Sequence, residues 1–278
     1  MLPLPVPQRG GSIETLNSFL NLASRDDFVL IVAWLLAALR SSGPYPLLAI
    51  SGEQGSAKTV LSKLLKALID PNAAPVRSLS REERELMIAA KNGYLLAFDN
   101  LSGLPVWLSD ALCRLASGGS FAVRRLYTDD EEVLFEAARP ILLNGIEEVI
   151  SRPDLGDRAI FLTLPPIGEA QRRFESELWR EFEIARPRML GALLDAAVHG
   201  LRTLHRVHLD RLPRMADFAR FGPRLAKQRC GLPAPSRART LQAAEPPSRA
   251  SSKPITSPLA YVESWPIGPC GPGAPQIR

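Results

Sequence analysis

The segment from residue 52 to residue 59 constrains the fold of this chain more than any other feature. Its residues are Gly52, Glu53, Gln54, Gly55, Ser56, Ala57, Lys58 and Thr59, between a short apolar run and an amphipathic run. A loop of small residues between a strand and a helix turns its N–H groups onto phosphates, and the helix dipole assists. The spacing therefore predicts that these eight residues bind the phosphates of a nucleotide, ATP.

Two residues at the end of this loop carry its chemistry. We expect Lys58 to reach the β- and γ-phosphates and the Thr59 hydroxyl to ligate Mg²⁺. The loop departs from the pattern G-x-x-x-x-G-K-[ST] at Ala57, where the pattern has glycine. We expect the methyl group to be tolerated if Ala57 keeps a negative φ. The alternative is a loop that merely joins a strand to a helix.

A second apolar run ends in a carboxylate. Residues 93–98 lead to Asp99, which would then lie near the Mg²⁺ and serve as a catalytic residue with Lys58. The next residue is Asn100, where a hydrolysing motor carries Glu as general base. An amide can orient a water molecule but cannot accept its proton. Glu53, Asp110 or an acid among residues 129–132 could substitute, and the sequence does not choose among them.

The order of strands and helices predicts the fold class. Strands are predicted over residues 47–51, 94–98, 141–143 and 159–164. Helices are predicted over residues 58–69, 81–91 and 106–116, the second opened by a capping box of Ser80 and Glu83. Residues 121–135 form a predicted hairpin with its turn at residues 128–130. Alternating strands and helices indicate an α/β fold with a mainly parallel sheet flanked by helices.

Helical segments flank this core on both sides. Helices are predicted over residues 13–22, 26–40, 169–183, 188–204 and, more weakly, 214–221. The chain is accordingly divided into an N-terminal extended segment with helices (1–45), a P-loop ATPase core (46–167), a helical C-terminal lobe (168–221) and a tail (222–278). The tail holds eleven prolines and five glycines, a composition typical of disorder.

Charge, cysteine usage and hydropathy bear on the binding partners and the cellular compartment of the chain. The net charge is +5, but residues 222–278 contain eight Lys/Arg and two Asp/Glu, a surplus of +6 that leaves −1 for residues 1–221. Net charge therefore gives no argument that the folded part binds DNA. Three separated cysteines favour a reducing cytoplasm. The longest apolar run, residues 28–39, is shorter than the ~20 residues of a membrane-spanning helix, so we expect no membrane association.

Two further segments carry a resemblance to a known family. Residues 116–127 read Ala-Ser-Gly-Gly-Ser-Phe-Ala-Val-Arg-Arg-Leu-Tyr, and residues 139–144 read Arg-Pro-Ile-Leu-Leu-Asn. Together with the loop and Asp99 they resemble superfamily-3 helicases of the AAA+ class, in particular the helicase portions of phage and plasmid primase–helicases. This resemblance covers about residues 47–166. The chain is also similar to uncharacterised bacterial ATP-binding proteins of mobile elements, to about Phe221.

The resemblance implies roles for particular residues. Asn144 would be the sensor that bonds the γ-phosphate or the attacking water, and Arg158 the arginine finger for a neighbouring subunit, with Arg152 as the other candidate. Arg124 and Arg125 would lead the hairpin into a channel that holds single-stranded DNA, in a hexameric ring. The acidic residues at the hairpin tip would repel a phosphate backbone. The alternative for the two arginines is a solvated strand face paired with the acids opposite.

The sequence predicts an ATP-binding P-loop ATPase, the motor core of a DNA helicase or translocase of phage or mobile-element origin. The first alternative is an ATP-binding switch or loader that hydrolyses little, which Asn100 and Ala57 favour. A small-molecule kinase is a further alternative, against which stands the lack of an arginine-rich lid between Lys58 and Asp99. The abrupt ends of the similarity suggest a decayed prophage fragment with a frameshifted C-terminus and a missing upstream domain.

Overall fold

A computed structural model of the chain describes residues 2–124, 132–146 and 149–206, together with Met215 and Phe218. Its central sheet has four strands, β1 (Leu47–Gly52), β2 (Leu96–Leu101), β5 (Ile141–Gly145) and β6 (Ala159–Leu164). Their order across the sheet is β2-β5-β1-β6, and every pairing is parallel. The predicted α/β class with a mainly parallel sheet flanked by helices is confirmed.

The helices that pack on this sheet cover both of its faces. They are α2 (Arg25–Ala38), α3 (Lys58–Ile69), α4 (Glu83–Asn92), α5 (Val106–Ser117) and the long α7 (Glu175–Thr203). One core joins α2, α3 and α7 to one face, and a second core joins α4 and α5 to the other. Strand residues alternate between these cores, as the two-residue period of a strand requires.

The hairpin forms as predicted, with strands β3 (Ser120–Arg124) and β4 (Glu132–Glu136) paired antiparallel. Its predicted turn at residues 128–130 lies outside the described residues, as does the tail from residue 222. The predicted helix over 214–221 is described at two positions only, Met215 and Phe218, and both side chains are buried in the core that contains α2 and α7.

Two predictions for the flanking helices are wrong. The first predicted helix is a single turn, α1 (Glu14–Asn17), because the Asn21 side chain donates to the carbonyls of Ser56 and Pro165 and holds the following residues out of a helix. The two predicted C-terminal helices are one, with Pro187 inside it. Burial of Phe182, Met189 and Leu193 on either side of this proline outweighs its disruption of the helix.

The predicted capping box is also wrong. Helix α4 begins at Glu83, its N-cap position is Glu82, and no side chain caps it. The Glu85 carboxylate instead accepts a hydrogen bond from the Arg81 N–H at 2.9 Å. In contrast, α2 has a side-chain cap, because the Ser24 hydroxyl accepts from the Asp27 N–H. Among the described residues, no helix has both the length and the apolar character needed to cross a bilayer.

The N-terminal segment packs directly on α7. The Gln8 N–H donates to the Pro187 carbonyl at 2.9 Å, and a Cβ atom at Gly191 would lie 2.0 Å from the Gln8 carbonyl oxygen. Any larger residue at position 191 would therefore push this segment off the helix.

A short α6 (Pro153–Gly156) precedes β6. The three boundaries between the four predicted segments of the chain remain predictions.

A buried ion pair joins the end of α3 to the start of β2. Lys66 donates to Asp70 at 2.9 Å and to the Leu95 carbonyl at 2.6 Å, and Asp70 also accepts from the N–H groups of Tyr94 and Leu95. The two side chains are 4% and 2% exposed. Burial lowers the pKa of Lys66, and the hydrogen bond with Asp70 opposes that shift.

We predict that Asp70→Ala lowers the free energy of unfolding by about 3–5 kcal/mol, because it leaves a buried ammonium group without its counter-ion and two N–H groups without their acceptor. Urea denaturation measures this change. Glu181→Ala is the matched control, since it removes a half-exposed ion pair with Arg173 and should cost less than about 1 kcal/mol. Equal losses in the two variants would contradict this account of the Lys66–Asp70 pair.

Candidate functional site

The carboxyl ends of three strands bring the predicted site residues to one edge of the sheet. Ile50 of β1 pairs with Asn144 of β5, and Phe98 of β2 pairs with Leu143 of β5. Parallel pairing therefore places the loop after β1 beside Asn144 and the residues after Phe98. This edge of an open α/β sheet is where ligands bind in such folds.

The loop after β1 is a compact turn with an exposed tip. Gly52 has φ +148°, and a Cβ atom there would lie 2.7 Å from the Leu164 carbonyl oxygen, so this position requires glycine. The buried Ser56 hydroxyl donates to the Glu53 carbonyl at 2.8 Å and closes the turn. Glu53, Gln54 and Gly55 are exposed at its tip.

Ala57 lies at φ +64° and ψ +28°, in the left-handed region. The condition under which the methyl group was expected to be tolerated, a negative φ at Ala57, is not met. The reason is geometric: the chain must reverse between the exposed tip and the first turn of α3, and the left-handed conformation provides that reversal. A residue with a Cβ atom pays about 1–2 kcal/mol for this conformation, which explains why the pattern has glycine there.

The Lys58 side chain folds back over the loop. Its Nζ atom donates to the carbonyl of Gly52 at 2.7 Å and to that of Glu53 at 2.8 Å. Desolvation lowers the pKa of Lys58, and the negative charge of Asp99 opposes this shift. The ammonium group thus lies at the concave side of the loop, close enough to Asp99 for their charges to interact.

Thr59 and Asp99 are in direct contact. The Thr59 hydroxyl, at the start of α3, donates to Asp99 Oδ1 at 3.0 Å. Mg²⁺ takes oxygen ligands at about 2.0–2.1 Å in an octahedron, so two neighbouring ligands lie about 2.9 Å apart. The observed oxygen–oxygen distance and the all-oxygen donor set therefore fit the magnesium ion predicted for these two residues.

Asn144 is buried, with 1% of its surface exposed. Its Oδ1 atom accepts from the Asn100 N–H at 3.1 Å, and its Nδ2 atom donates to the Ser62 hydroxyl at 2.9 Å. Sequence reasoning missed Ser62. The available signal was a serine one helical turn after Lys58, within a helix whose other buried side chains are mostly leucine.

A cleft of about 350 Å³ opens beside Asp99 and Asn100, between residues 76–79 and 99–103. Asn100 lines it with φ +58°, a conformation that asparagine tolerates better than most residues. The Arg77 backbone extends the sheet here, since Asp99 donates its N–H to the Arg77 carbonyl at 2.9 Å. The residue in the predicted position of a general base therefore faces solvent at the edge of the site.

The alternative bases lie in different places. Asp110, on α5, forms an ion pair with Arg152 at 3.1 Å, which occupies its carboxylate. Glu53 is at the exposed loop tip, where its carbonyl rather than its carboxylate contacts Lys58. Of the hairpin acids, residues 129–131 lie outside the described residues, and Glu132 begins β4.

The two finger candidates lie outside the loop, and Arg158 is remote from the loop of its own chain. Arg158 precedes β6, and its carbonyl accepts from the N–H of Leu47 at the start of β1. A six-residue strand spans about 20 Å, so Arg158 lies at the opposite edge of the sheet. Its guanidinium donates to the Asp154 carbonyl at 2.7 Å and to Cys113 Sγ at 3.8 Å. Arg152 bonds Asp110 and Asp154, and this contact lowers the pKa of Asp154 although burial acts to raise it.

The predicted DNA-binding residues are only partly described. Arg124 ends β3, directly opposite Glu132 of β4, and Arg125 lies outside the described residues. An opposite-charge pair across two strands is the arrangement of the alternative interpretation, a solvated strand face. The strand register therefore gives Arg124 an acid as its cross-strand neighbour, and the contact of both arginines with DNA stays a prediction.

Comparisons with solved structures show a shared fold. An apo structure of the NrS-1 C-terminal region is 16% identical, with a TM-score of 0.50, over 69% of this chain and 49% of that chain. Its A form is 15% identical with the same TM-score. The chain thus spans about half the length of the NrS-1 region it matches. A JCV helicase structure is 13% identical over 67% of this chain and 57% of that chain, with a TM-score of 0.38.

No curated protein matches the sequence. A family model does: that of the actinomycete integrative conjugative element replication protein matches residues 13–239. This match extends past Phe221, where sequence analysis ended the similarity to relatives, and reaches into the proline-rich tail. The matched residues include α1 and α2, the four strands of the sheet, and α7. The chain belongs to the family of actinomycete integrative conjugative element replication proteins.

Proposed function

We propose that this chain binds ATP with Mg²⁺ at residues 52–59 and is the ATPase motor core of a DNA helicase or translocase used in replication of a mobile element. The observation that carries the proposal is the 3.0 Å contact between Thr59 and Asp99 where the loop passes into α3. This contact joins the last residue of the loop motif to the aspartate that ends the second apolar run, through the Thr59 hydroxyl and Asp99 Oδ1. Membership of a replication protein family supports the same role.

In this proposal, the loop residues bind the phosphates, and Thr59 and Asp99 hold the magnesium ion. The bound ion neutralises charge that develops on the phosphate oxygens during transfer. Lys58 leaves the carbonyls of Gly52 and Glu53 for the phosphates, exchanging two neutral acceptors for charged ones. Desolvation lowers the pKa of Lys58, and the negative charge of a bound phosphate would favour its ammonium form.

Hydrolysis requires an attacking water, and Asn100 is placed to orient one. It lines the cleft beside Asp99, and its backbone is held by the buried Asn144. Neither amide accepts a proton, so turnover should be slower than with a carboxylate at position 100. This observation favours the second candidate function, a nucleotide-dependent switch or loader that binds ATP and hydrolyses little.

A ring of subunits would complete the site. Arg158 lies at the sheet edge opposite the loop, so it cannot act on the nucleotide of its own chain but is suited to reach that of a neighbour. Arg152 is the other candidate, held in exposed ion pairs. The proposal therefore includes a hexamer that acts in the cytoplasm, with Arg124 and Arg125 contacting single-stranded DNA.

We predict that the full-length chain hydrolyses ATP, that single-stranded DNA stimulates turnover, and that Lys58→Ala reduces turnover at least about a hundredfold. A phosphate-release assay measures this. Lys91→Ala, which removes an exposed lysine of α4, should match the unsubstituted chain. Binding of ATP that depends on Lys58 without turnover would support the switch instead, and absence of ATP binding would contradict both.

Ala57 gives a separate test of the loop conformation. We predict that Ala57→Gly raises the free energy of unfolding by about 0.5–1 kcal/mol, because relief of the left-handed strain exceeds the entropy that glycine adds to the unfolded chain. Ala67→Gly, in the regular part of α3, should lower it by about 1 kcal/mol. Thermal or urea denaturation compares them. Destabilisation by both substitutions would contradict the left-handed assignment.

A further inference from the structure

A chain of hydrogen bonds runs beneath the loop from β2 to α3. The Asn100 N–H donates to Asn144 Oδ1 at 3.1 Å, Asn144 Nδ2 donates to the Ser62 hydroxyl at 2.9 Å, and this hydroxyl donates to the Lys58 carbonyl at 2.9 Å. The two inner side chains, Ser62 and Asn144, are 0% and 1% exposed. Water therefore does not compete for these bonds, and loss of either side chain leaves the other with an unsatisfied polar group.

The direction of this chain is fixed by its two ends. A backbone N–H at Asn100 can only donate, and a backbone carbonyl at Lys58 can only accept. Asn144 must therefore present its oxygen toward β2 and its NH₂ group toward α3. The Ser62 hydroxyl satisfies both demands of its position, because it accepts from Asn144 while it donates to Lys58.

One hydrogen of the Asn144 NH₂ group is used by Ser62, and an amide has two. The second has no acceptor among the described residues, and Asn144 lies at the edge of the sheet where the loop and Asp99 meet. Without Ser62, the carboxamide would lose the contact that holds its nitrogen on this side. The position of this donor therefore depends on a residue that does not itself line the loop.

We propose that Ser62 is a positioning residue of the nucleotide site, which holds Asn144 so that its N–H group is offered to the terminal phosphate of ATP. This inference rests on the proposed function, since it presumes that ATP binds at the loop. The effect of Ser62 is specific to the γ-phosphate. ADP, which lacks that phosphate, gains nothing from the orientation of Asn144.

Ser109 supplies a matched control within the same protein. It is a serine of a helix, 2% exposed, and its hydroxyl has no hydrogen-bond partner among the described residues. Replacement of Ser109 by alanine removes the same atom from an equally buried place without breaking a bond. A difference between the two serines is therefore an effect of the hydrogen-bond chain and not of removing a buried hydroxyl.

The test measures the dissociation constants of ATPγS and ADP, both with Mg²⁺, by titration calorimetry on the full-length chain. We expect the unsubstituted chain and Ser109→Ala to prefer ATPγS, and Ser62→Ala to lower this preference about tenfold while ADP affinity stays within about twofold. Asn144→Ala should lose the same preference, and the double variant should lose no more than either single one.

Unchanged preference in Ser62→Ala would overturn the inference, as would an equal loss of affinity for both nucleotides or strictly additive losses in the double variant. If Ser62→Ala does not fold by circular dichroism, Ser62→Cys replaces it, since sulfur keeps the volume but bonds weakly; its preference should also fall. A chain that binds neither nucleotide refutes the proposed function itself. A chain that binds both, with no effect at Ser62, refutes only the role of Ser62.

Discussion

Parallel pairing of three strands is the constraint on which the rest of this structure depends. Because β5 pairs with both β1 and β2 in the same direction, the ends of these strands lie at one edge of the sheet. Residues far apart in the sequence, Thr59 and Asp99, come within hydrogen-bonding distance there. A shift of register by one residue would turn Asn144 away from α3 and separate these groups. The candidate site is therefore a consequence of sheet topology, and in the proposed function the loop after β1 supplies the backbone that binds phosphate.

The elements outside the sheet support this edge through few but specific contacts. Asn21 bonds the carbonyl of Ser56 within the loop, and the Lys66–Asp70 pair attaches α3 to the start of β2. Arg186 of α7 donates to the Ala67 carbonyl at 2.7 Å, which joins the C-terminal helix to the same α3. Helix α3 thus carries Lys58 and Thr59 at one end and is held at the other by three buried charged residues. A displacement of α7 would therefore be transmitted to the loop through α3.

The sequence predicted the sheet well because buried parallel strands are continuous apolar runs bounded by glycine, proline or polar residues. It also predicted that Lys58 begins the helix after the first strand and that Asp99 and Asn144 come toward the carboxyl ends of two other strands. It failed where tertiary contacts decide local structure: two helices were predicted over residues 169–183 and 188–204, yet burial on both sides of Pro187 keeps α7 continuous. The left-handed conformation of Ala57 depends on the backbone geometry of the loop. The proposed role of Ser62 depends on Asn144, which lies 82 positions away in the sequence. Neither leaves a periodic signal in the sequence.

The most direct test of the central claim is the effect of Mg²⁺ on ATP affinity in the unsubstituted chain and in Thr59→Val, which keeps the shape of the side chain but removes its hydroxyl. If Thr59 and Asp99 form the magnesium site of a nucleotide-binding loop, Mg²⁺ should raise ATP affinity at least about tenfold in the unsubstituted chain and by much less in the variant. Equal responses to Mg²⁺ in the two proteins, or no response in either, would contradict the account.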